Sequence, residues 1–176
     1  MAVIAGHFEK VSFKEYLNAL IALKQIDREA KDYEEKVVAA KEAWEGISLP
    51  VRATTGSAGY DFCLPAQVSI SANTPVTIPT GIRVKIEDGW YLEMVPRSGL
   101  GFRYGMKLAN TVGVIDSDYY YADNEGHIML KVSTRTQVTL ETGDRFAQGI
   151  FMPHGITDDD KPMKDARRGG FGSTGA

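Results

Sequence analysis

A chain of 176 residues, 43% hydrophobic and 24% charged, has the size and composition of one soluble domain with a sizeable core and room for an appendage. Its net charge of -3 argues against general nucleic-acid binding, which needs a basic excess against phosphates, but allows a single nucleotide held by a local cluster of cations. The chain shows no basic-then-apolar leader and no uncharged apolar run of the roughly 18 residues that a membrane span needs, so the expectation is a cytoplasmic protein with no membrane partner.

From Phe13 the apolar residues Phe13, Tyr16, Leu20, Leu23, Ile26, Ala30, Tyr33, Val37, Ala40 and Trp44 recur every three or four positions and keep one helical face. Ser12 and Glu15 form a capping-box pair at its start, and Gly46 stands where a helix stops. One long helix or a hairpin of two fits this pattern, and the successive steps of three through Leu20, Leu23 and Ile26 put a bend near Gln25 to Arg28. The stripe is expected to pack on the protein's own body, with a seam to another chain as the alternative. The charges between Asp27 and Glu45 read as a solvated face.

Beyond Gly46 the helical period is gone. "GIRVKIEDGWYLEMV" alternates through Ile82, Val84 and Ile86, meets Asp88-Gly89 and resumes near Tyr91, which predicts a hairpin. Further strand-like runs are "QVSI", "HIMLKVS", "QVTLE" and "RFAQGIFM", separated by turn clusters at spacings near ten residues. A mainly β fold follows, a sandwich, barrel or jelly roll. Without helical crossovers a parallel nucleotide-binding sheet is not expected. The lone Cys63, in "YDFCLP", reads as a small buried residue, since no histidine or cation stands beside it to activate a thiolate.

Five stretches bear chemistry. "SAGYDF" sets Asp61 beside a glycine turn, and "PRSGL" offers the guanidinium of Arg97, the hydroxyl of Ser98 and free N–H groups at Gly99 to phosphate oxygens. "LANTVGVIDSDYYY" delivers Asp116 at the end of an apolar run, where a carboxylate is well placed to act as a base on water. "GDRFAQGIF" puts Arg145 and Gln148 on a strand. The terminal "RRGGFGSTG" lacks the Gly-Lys-Ser/Thr ending of a P-loop and has no helix after it. It combines close backbone approach at glycine, cations for phosphate, hydroxyl donors and a ring able to stack on a base.

In this order and spacing, "AGYDF", "PRSGL", "GVIDSDY", "GDRFAQGIF" and "RGGFGSTG", with "LPVRAT" upstream, resemble the five motifs of the trimeric all-β dUTP diphosphatases (dUTPases). The resemblance spans residues 49 to 176. It implies a dUTPase-like jelly-roll (β-clip) subunit, a homotrimer with shared active sites, and a C-terminal arm that closes over a neighbour's site. The implied reaction is hydrolysis of dUTP to dUMP and pyrophosphate, which clears dUTP from the nucleotide pool and supplies dUMP for thymidylate synthesis.

The roles implied by the resemblance fall on matched residues. Asp116 orients the water that attacks the α-phosphorus. Tyr119 lies against the deoxyribose and leaves no space for a 2'-hydroxyl, a steric discrimination against UTP. Asn110 and Gly113 lie in a hairpin that reads the uracil edge, and Arg97, Ser98, Gly99 and Gln148 hold phosphates. Asp61 holds Mg2+ through coordinated waters, the metal being bound mainly by the triphosphate. In the arm, Phe171 packs on uracil beside Gly172, while Arg167, Ser173 and Thr174 take the γ-phosphate. His7, His127 and His154 lack metal-ligand spacing and read as structural.

Three features depart from the family's commonest form. "YYADNEG" delays Gly126, which lengthens the hairpin and lets Tyr120 or Tyr121 compete for the role of Tyr119. The arm arginine's usual place falls on Ala166, which leaves Arg167, then Arg168. "HFEKVSF" resembles an opening strand of some relatives. The resulting division is an opening strand at 1–12, a helical insertion at 13–46, a jelly-roll core at 47–164 and an arm at 165–176. Deamination of dCTP on the same fold is one alternative function, although no extra acid stands where those enzymes carry a glutamate. The other is a dUTP-sensing regulator whose insertion contacts a macromolecular partner.

Overall fold

The structure is a computed structural model and describes residues 3–162. Strand β1 (Gly6–Lys10) leads into helices α1 (Phe13–Ala22) and α2 (Tyr33–Glu45), after which the chain is mostly strand. β2 (Val51–Arg52), β3 (Tyr60–Cys63), β4 (Val68–Ile70), β5 (Val76–Pro79), β6 (Ile82–Ile86) and β7 (Trp90–Pro96) come before the short helix α3 (Ser98–Tyr104). β8 (Lys107–Leu108) and β9 (Gly113–Ile115) precede a 3-10 turn over Ser117–Tyr121, and β10 (Met129–Ser133), β11 (Val138–Leu140) and β12 (Arg145–Pro153) follow it.

Among the described residues all the strand pairings are antiparallel, and most join strands far apart in sequence, as the expected jelly-roll class requires. The largest sheet has the order β2-β3-β12-β7-β9, and smaller sheets pair β1 with β6, β11 with β4, and β5-β10-β8. Inward-facing residues at alternate strand positions fill the core: Leu92 and Met94 on β7, Val84 on β6 and Val132 on β10 are almost wholly buried. The expected hairpin at Asp88-Gly89 is not one. The turn is present, with Gly89 at φ +80 and the Trp90 N–H donating to Glu87 O at 3.2 Å. Yet β6 pairs with β1, while β7 pairs with β9 and β12. The turn is a corner between sheets, and two alternating strands around a tight turn look the same in sequence whether they share a ladder or face each other across a core.

The helical segment is a hairpin packed on the protein's own body. Tyr16, Leu20, Ile26 and Ala40 join the main core, and the Phe13 and Trp44 rings meet at 6.0 Å. α1 stops at Leu23 in a Schellman arrangement: Lys24 adopts φ 58, its N–H donates to Ile21 O, and the Gln25 N–H donates to Leu20 O. A lysine in the place usually held by glycine hid this stop from the sequence, though the expected bend at Gln25 to Arg28 falls within the connection. At the end of α2, Lys10 Nζ donates to the carbonyls of Trp44 and Glu45 at 3.1 and 2.9 Å, so Gly46 caps the helix with an ordinary φ of -72. The expected capping box is only half formed. Ser12 Oγ accepts the Glu15 N–H at 3.1 Å, but the carboxylate that returns to Ser12 N–H belongs to Glu125.

Candidate active site

Polar groups gather at the two ends of β7. At the Arg97 end, Asp61 on β3 is only 4% exposed. Its Oδ1 accepts from Gln148 Nε2 at 3.2 Å, and its Oδ2 accepts from Arg145 Nη1 at 3.2 Å and lies 3.6 Å from Arg97 Nη1. The pairing of β12 with β3 sets Gln148 opposite Asp61. Strict alternation would send Arg145, three positions away, to the other face, but the register shifts between Arg145 and Ala147, and this irregularity lets both side chains reach one carboxylate. Arg97 leaves β7 in an extended conformation as the N-cap of α3, which places Ser98 and Gly99, both exposed, among the unpaired first-turn N–H groups. A cleft of ≈ 480 Å³ is lined by Arg97, Gly99, Arg103 and Arg145 among others. Sequence reading missed Arg103, because a seven-residue helix is too short to show which face a cation occupies.

This end fits an anion better than a metal. Both Asp61 oxygens already accept from cationic or amide donors, and two guanidiniums stand beside them. Among the described residues no group of three or more His, Cys, Asp or Glu is placed to hold a metal ion. The carboxylate therefore acts first to aim two arginines and a glutamine. Cys63 is half-buried, and burial, followed by the nearby charge of Asp61, pushes its thiol up. That keeps it protonated, in line with a packing role.

At the other end, β9 carries Gly113 opposite Met94 and Ile115 opposite Leu92. A Cβ on Gly113 would lie 3.0 Å from Met94 Cβ, so the close approach of β7 leaves little space for a side chain there. Asp116 follows at once, exposed and in an extended conformation, as the N-cap of the 3-10 turn. Asn110 is exposed in the loop before β9, where its carbonyl accepts the Val112 N–H at 2.7 Å and Thr111 adopts φ 67. This loop is tighter than the expected hairpin: β8 pairs with β10, β9 pairs with β7, and the two meet only at the Leu108–Thr111 bridge.

The three consecutive tyrosines diverge. A 3-10 turn has three residues per turn, so neighbours point about 120° apart. Tyr119 points inward and is 2% exposed, its hydroxyl donating to His127 O and accepting from Asn124 Nδ2, both at 2.8 Å. Tyr120 lies under the Arg83 guanidinium, 3.6 Å from its ring centroid, and donates to Glu9 Oε2 at 2.9 Å. Tyr121 is 72% exposed and lines a cleft with Ser117, Asp118 and the corner at residues 85–88. The Tyr119 ring, expected to meet a sugar, is enclosed by its own subunit in the single chain. The exposed ring is that of Tyr121.

Asp116 and Arg97 are not brought together within one chain. The register sets Asp116 level with Tyr91, so it lies roughly 20 Å along β7 from Arg97 at about 3.3 Å per residue. Asp61, Arg97, Ser98, Gly99 and Gln148 form one group, and Asp116 and the tyrosines form another. Arg167, Phe171, Gly172, Ser173 and Thr174 lie outside the described residues. His127 is fully buried and hydrogen-bonded, whereas His7 pairs with Glu9 at the surface and His154 lies 6.5 Å from the Tyr91 ring.

The sequence matches the dUTPase family over residues 45–175, a span that begins at the last residue of α2. It is 44% identical over 135 residues to the deoxyuridine 5'-triphosphate nucleotidohydrolase of Lactococcus lactis, covering 74% of this chain and 90% of that protein. It is 41% identical over 155 residues to the protein of the same name from Tolumonas auensis, covering 82% and 98%. The crystal structure of dUTPase from Streptococcus mutans superposes with a TM-score of 0.58 at 40% identity, over 62% of this chain and 88% of that one. A mutant dUTPase of Staphylococcus aureus phage phi11, which coordinates a structural Mg(II) ion, shares the fold at 19% identity and a TM-score of 0.57, over 69% and 92%.

Proposed function

The chain belongs to the dUTPase family, and from that membership we propose that it hydrolyses dUTP to dUMP and pyrophosphate at sites shared between subunits of a homotrimer. The observation that carries the reading is the separation of its two polar groups: a base at Asp116 and a guanidinium-lined cleft at Arg97 lie roughly 20 Å apart along β7. That is too far for one chain to place both on neighbouring parts of one triphosphate. In a closed ring, the Asp116 end of one subunit meets the Arg97 end of the next, and each site is complete.

In such a site Asp116 accepts a proton from the attacking water as that water adds to the α-phosphorus. Arg97, Arg145 and Gln148, held by Asp61, and the hydroxyl and N–H groups of Ser98 and Gly99 bind the charge that moves onto the leaving pyrophosphate. Mg2+ would neutralise triphosphate oxygens when bound, and Asp61, whose oxygens are taken by Arg145 and Gln148, would hold it through water. Asn110 and the main chain near Gly113 take the uracil edge. The sugar meets one of the three tyrosines, with Tyr121 favoured by its exposure. The arm supplies Phe171 and Gly172 at the base and Arg167, Ser173 and Thr174 at the γ-phosphate. No helix among the described residues is long and apolar enough to cross a membrane, and the proposed place of action is the cytoplasm.

The test compares dUTP, UTP, dTTP and dCTP as substrates with Mg2+. dUMP and pyrophosphate should form from dUTP alone. Ammonia from dCTP would move the protein to the deaminase class, and binding of dUTP without turnover would leave a sensor.

A further inference from the structure

We propose that helix α1 braces the loop that carries Asp116, and that Glu125 is the positioning residue through which it does so. The proposal rests on reading Asp116–Tyr121 as catalytic. Between Asp116 and β10 the chain is tied repeatedly to residues that precede the family match. The Glu125 carboxylate accepts the Ser12 N–H at 2.8 Å and the Ser12 hydroxyl at 2.6 Å, which ties it to the N-cap of α1, while the Ser12 oxygen accepts the Glu15 N–H. Freed from the capping box, Glu15 faces His127 Nδ1 at 3.4 Å. His127 Nε2 accepts the Gly81 N–H at 2.9 Å, which assigns the ring proton to the nitrogen facing Glu15. The His127 carbonyl in turn accepts the Tyr119 hydroxyl, and Tyr120 reaches Glu9 on β1.

The loop is too tightly folded to absorb a shift at Glu125. Glu125 and Gly126 both adopt positive φ, 57 and 71. A Cβ on Gly126 would lie 2.8 Å from both Tyr119 O and Tyr120 Cα, so the backbone after Glu125 lies directly against the 3-10 turn. Asp116 is the N-cap of that turn. A displacement at Ser12–Glu125 therefore passes through packed backbone to the carboxylate that must aim a water, where an error of about 1 Å costs up to 10²-fold in rate. Partial burial pushes the Glu125 carboxyl up, but its bonds to the Ser12 side chain and backbone outweigh this and hold it below its ordinary value, so it is an acceptor at neutral pH. The Asp61 cluster shares none of these contacts.

The test measures kcat and KM for dUTP with Mg2+ on the full chain, well below its unfolding temperature, for Glu125→Ala, Glu125→Gln and Ser12→Ala. Glu125→Ala should lower kcat about tenfold and leave KM within about twofold, because the phosphate cleft is untouched. Glu125→Gln should restore most of kcat, since its amide can accept from Ser12 N–H and donate to Ser12 Oγ. A fall in thermal stability with kcat unchanged, a rise in KM alone, or equal losses in the Ala and Gln variants would each overturn the proposal. Should Glu125→Ala fail to fold, Ser12→Ala decides: a smaller loss confined to kcat supports the brace, and an unchanged kcat sinks it. If the unaltered chain does not turn over dUTP, the catalytic reading itself fails before any variant is compared.

Discussion

At the Arg97 end of β7 the polar groups hold one another, with one buried carboxylate engaging Arg145 and Gln148 on a strand already fixed by ladder hydrogen bonds and Arg97 just past the end of another. At the Tyr91 end Asp116 sits on a long loop whose ties run to β1, α1 and Gly81. The difference matches the two tasks proposed for them. A phosphate cradle needs fixed charge, which a sheet register supplies by itself. A general base must be aimed within a fraction of an ångström, and an irregular loop needs packing from a second element to achieve that.

The contrast can be broken most sharply at Asp116. Asp116→Asn should lower kcat by about 10³-fold while an unhydrolysable dUTP analogue still binds, because the amide keeps the shape and loses the basicity. Retained turnover in this variant would move the base elsewhere. A smaller effect is expected at the other end. Asp61→Ala releases Arg97, Arg145 and Gln148, and should raise KM for dUTP by about tenfold, near the lower end of the roughly 1.5–3 kcal/mol of a hydrogen bond to a charged group. If kcat fell and KM did not, the division of labour between the ends would be wrong.

The smallest effect sharpens the comparison through pH. The Glu125 carboxyl is lowered in the folded protein by its Ser12 bonds. Its contribution to stability is therefore present above the unfolded value near 4.5 and is lost as pH falls through the folded value. The unfolding temperature of the unaltered chain should exceed that of Glu125→Ala at pH 7, and the gap should narrow below about pH 4. A gap that held constant with pH would mean that the charge on Glu125 contributes nothing.

How much the sequence revealed depended on whether the deciding interaction was local. The helical stripe, its break and its burial on the body were legible because helical period is a short-range property, and motif spacing put Gln148 on a strand and Asp116 and Arg97 just past strand ends. The Asp88-Gly89 corner was misread as a hairpin, since which sheet a strand joins depends on partners far along the chain. The different directions of the three adjacent tyrosines were not legible, because only the 3-10 turn sets which ring is buried and which is exposed. The link from Ser12 to Glu125 spans most of the chain, and a complete-looking local capping box concealed it. Arg145 reaches Asp61 only through a register shift that nothing in "GDRFAQGIF" marks.

The central claim is that no single chain holds a whole site, and mixing two inactive variants tests it directly. Asp116→Asn and Arg97→Ala chains, unfolded together in equal amounts and reassembled, should recover about a quarter of the activity of the unaltered protein, because random closed assembly pairs an intact Asp116 end with an intact Arg97 end at that frequency. Activity no greater than that of each variant reassembled alone would mean that Asp116 and Arg97 must come from the same chain, and would contradict the account.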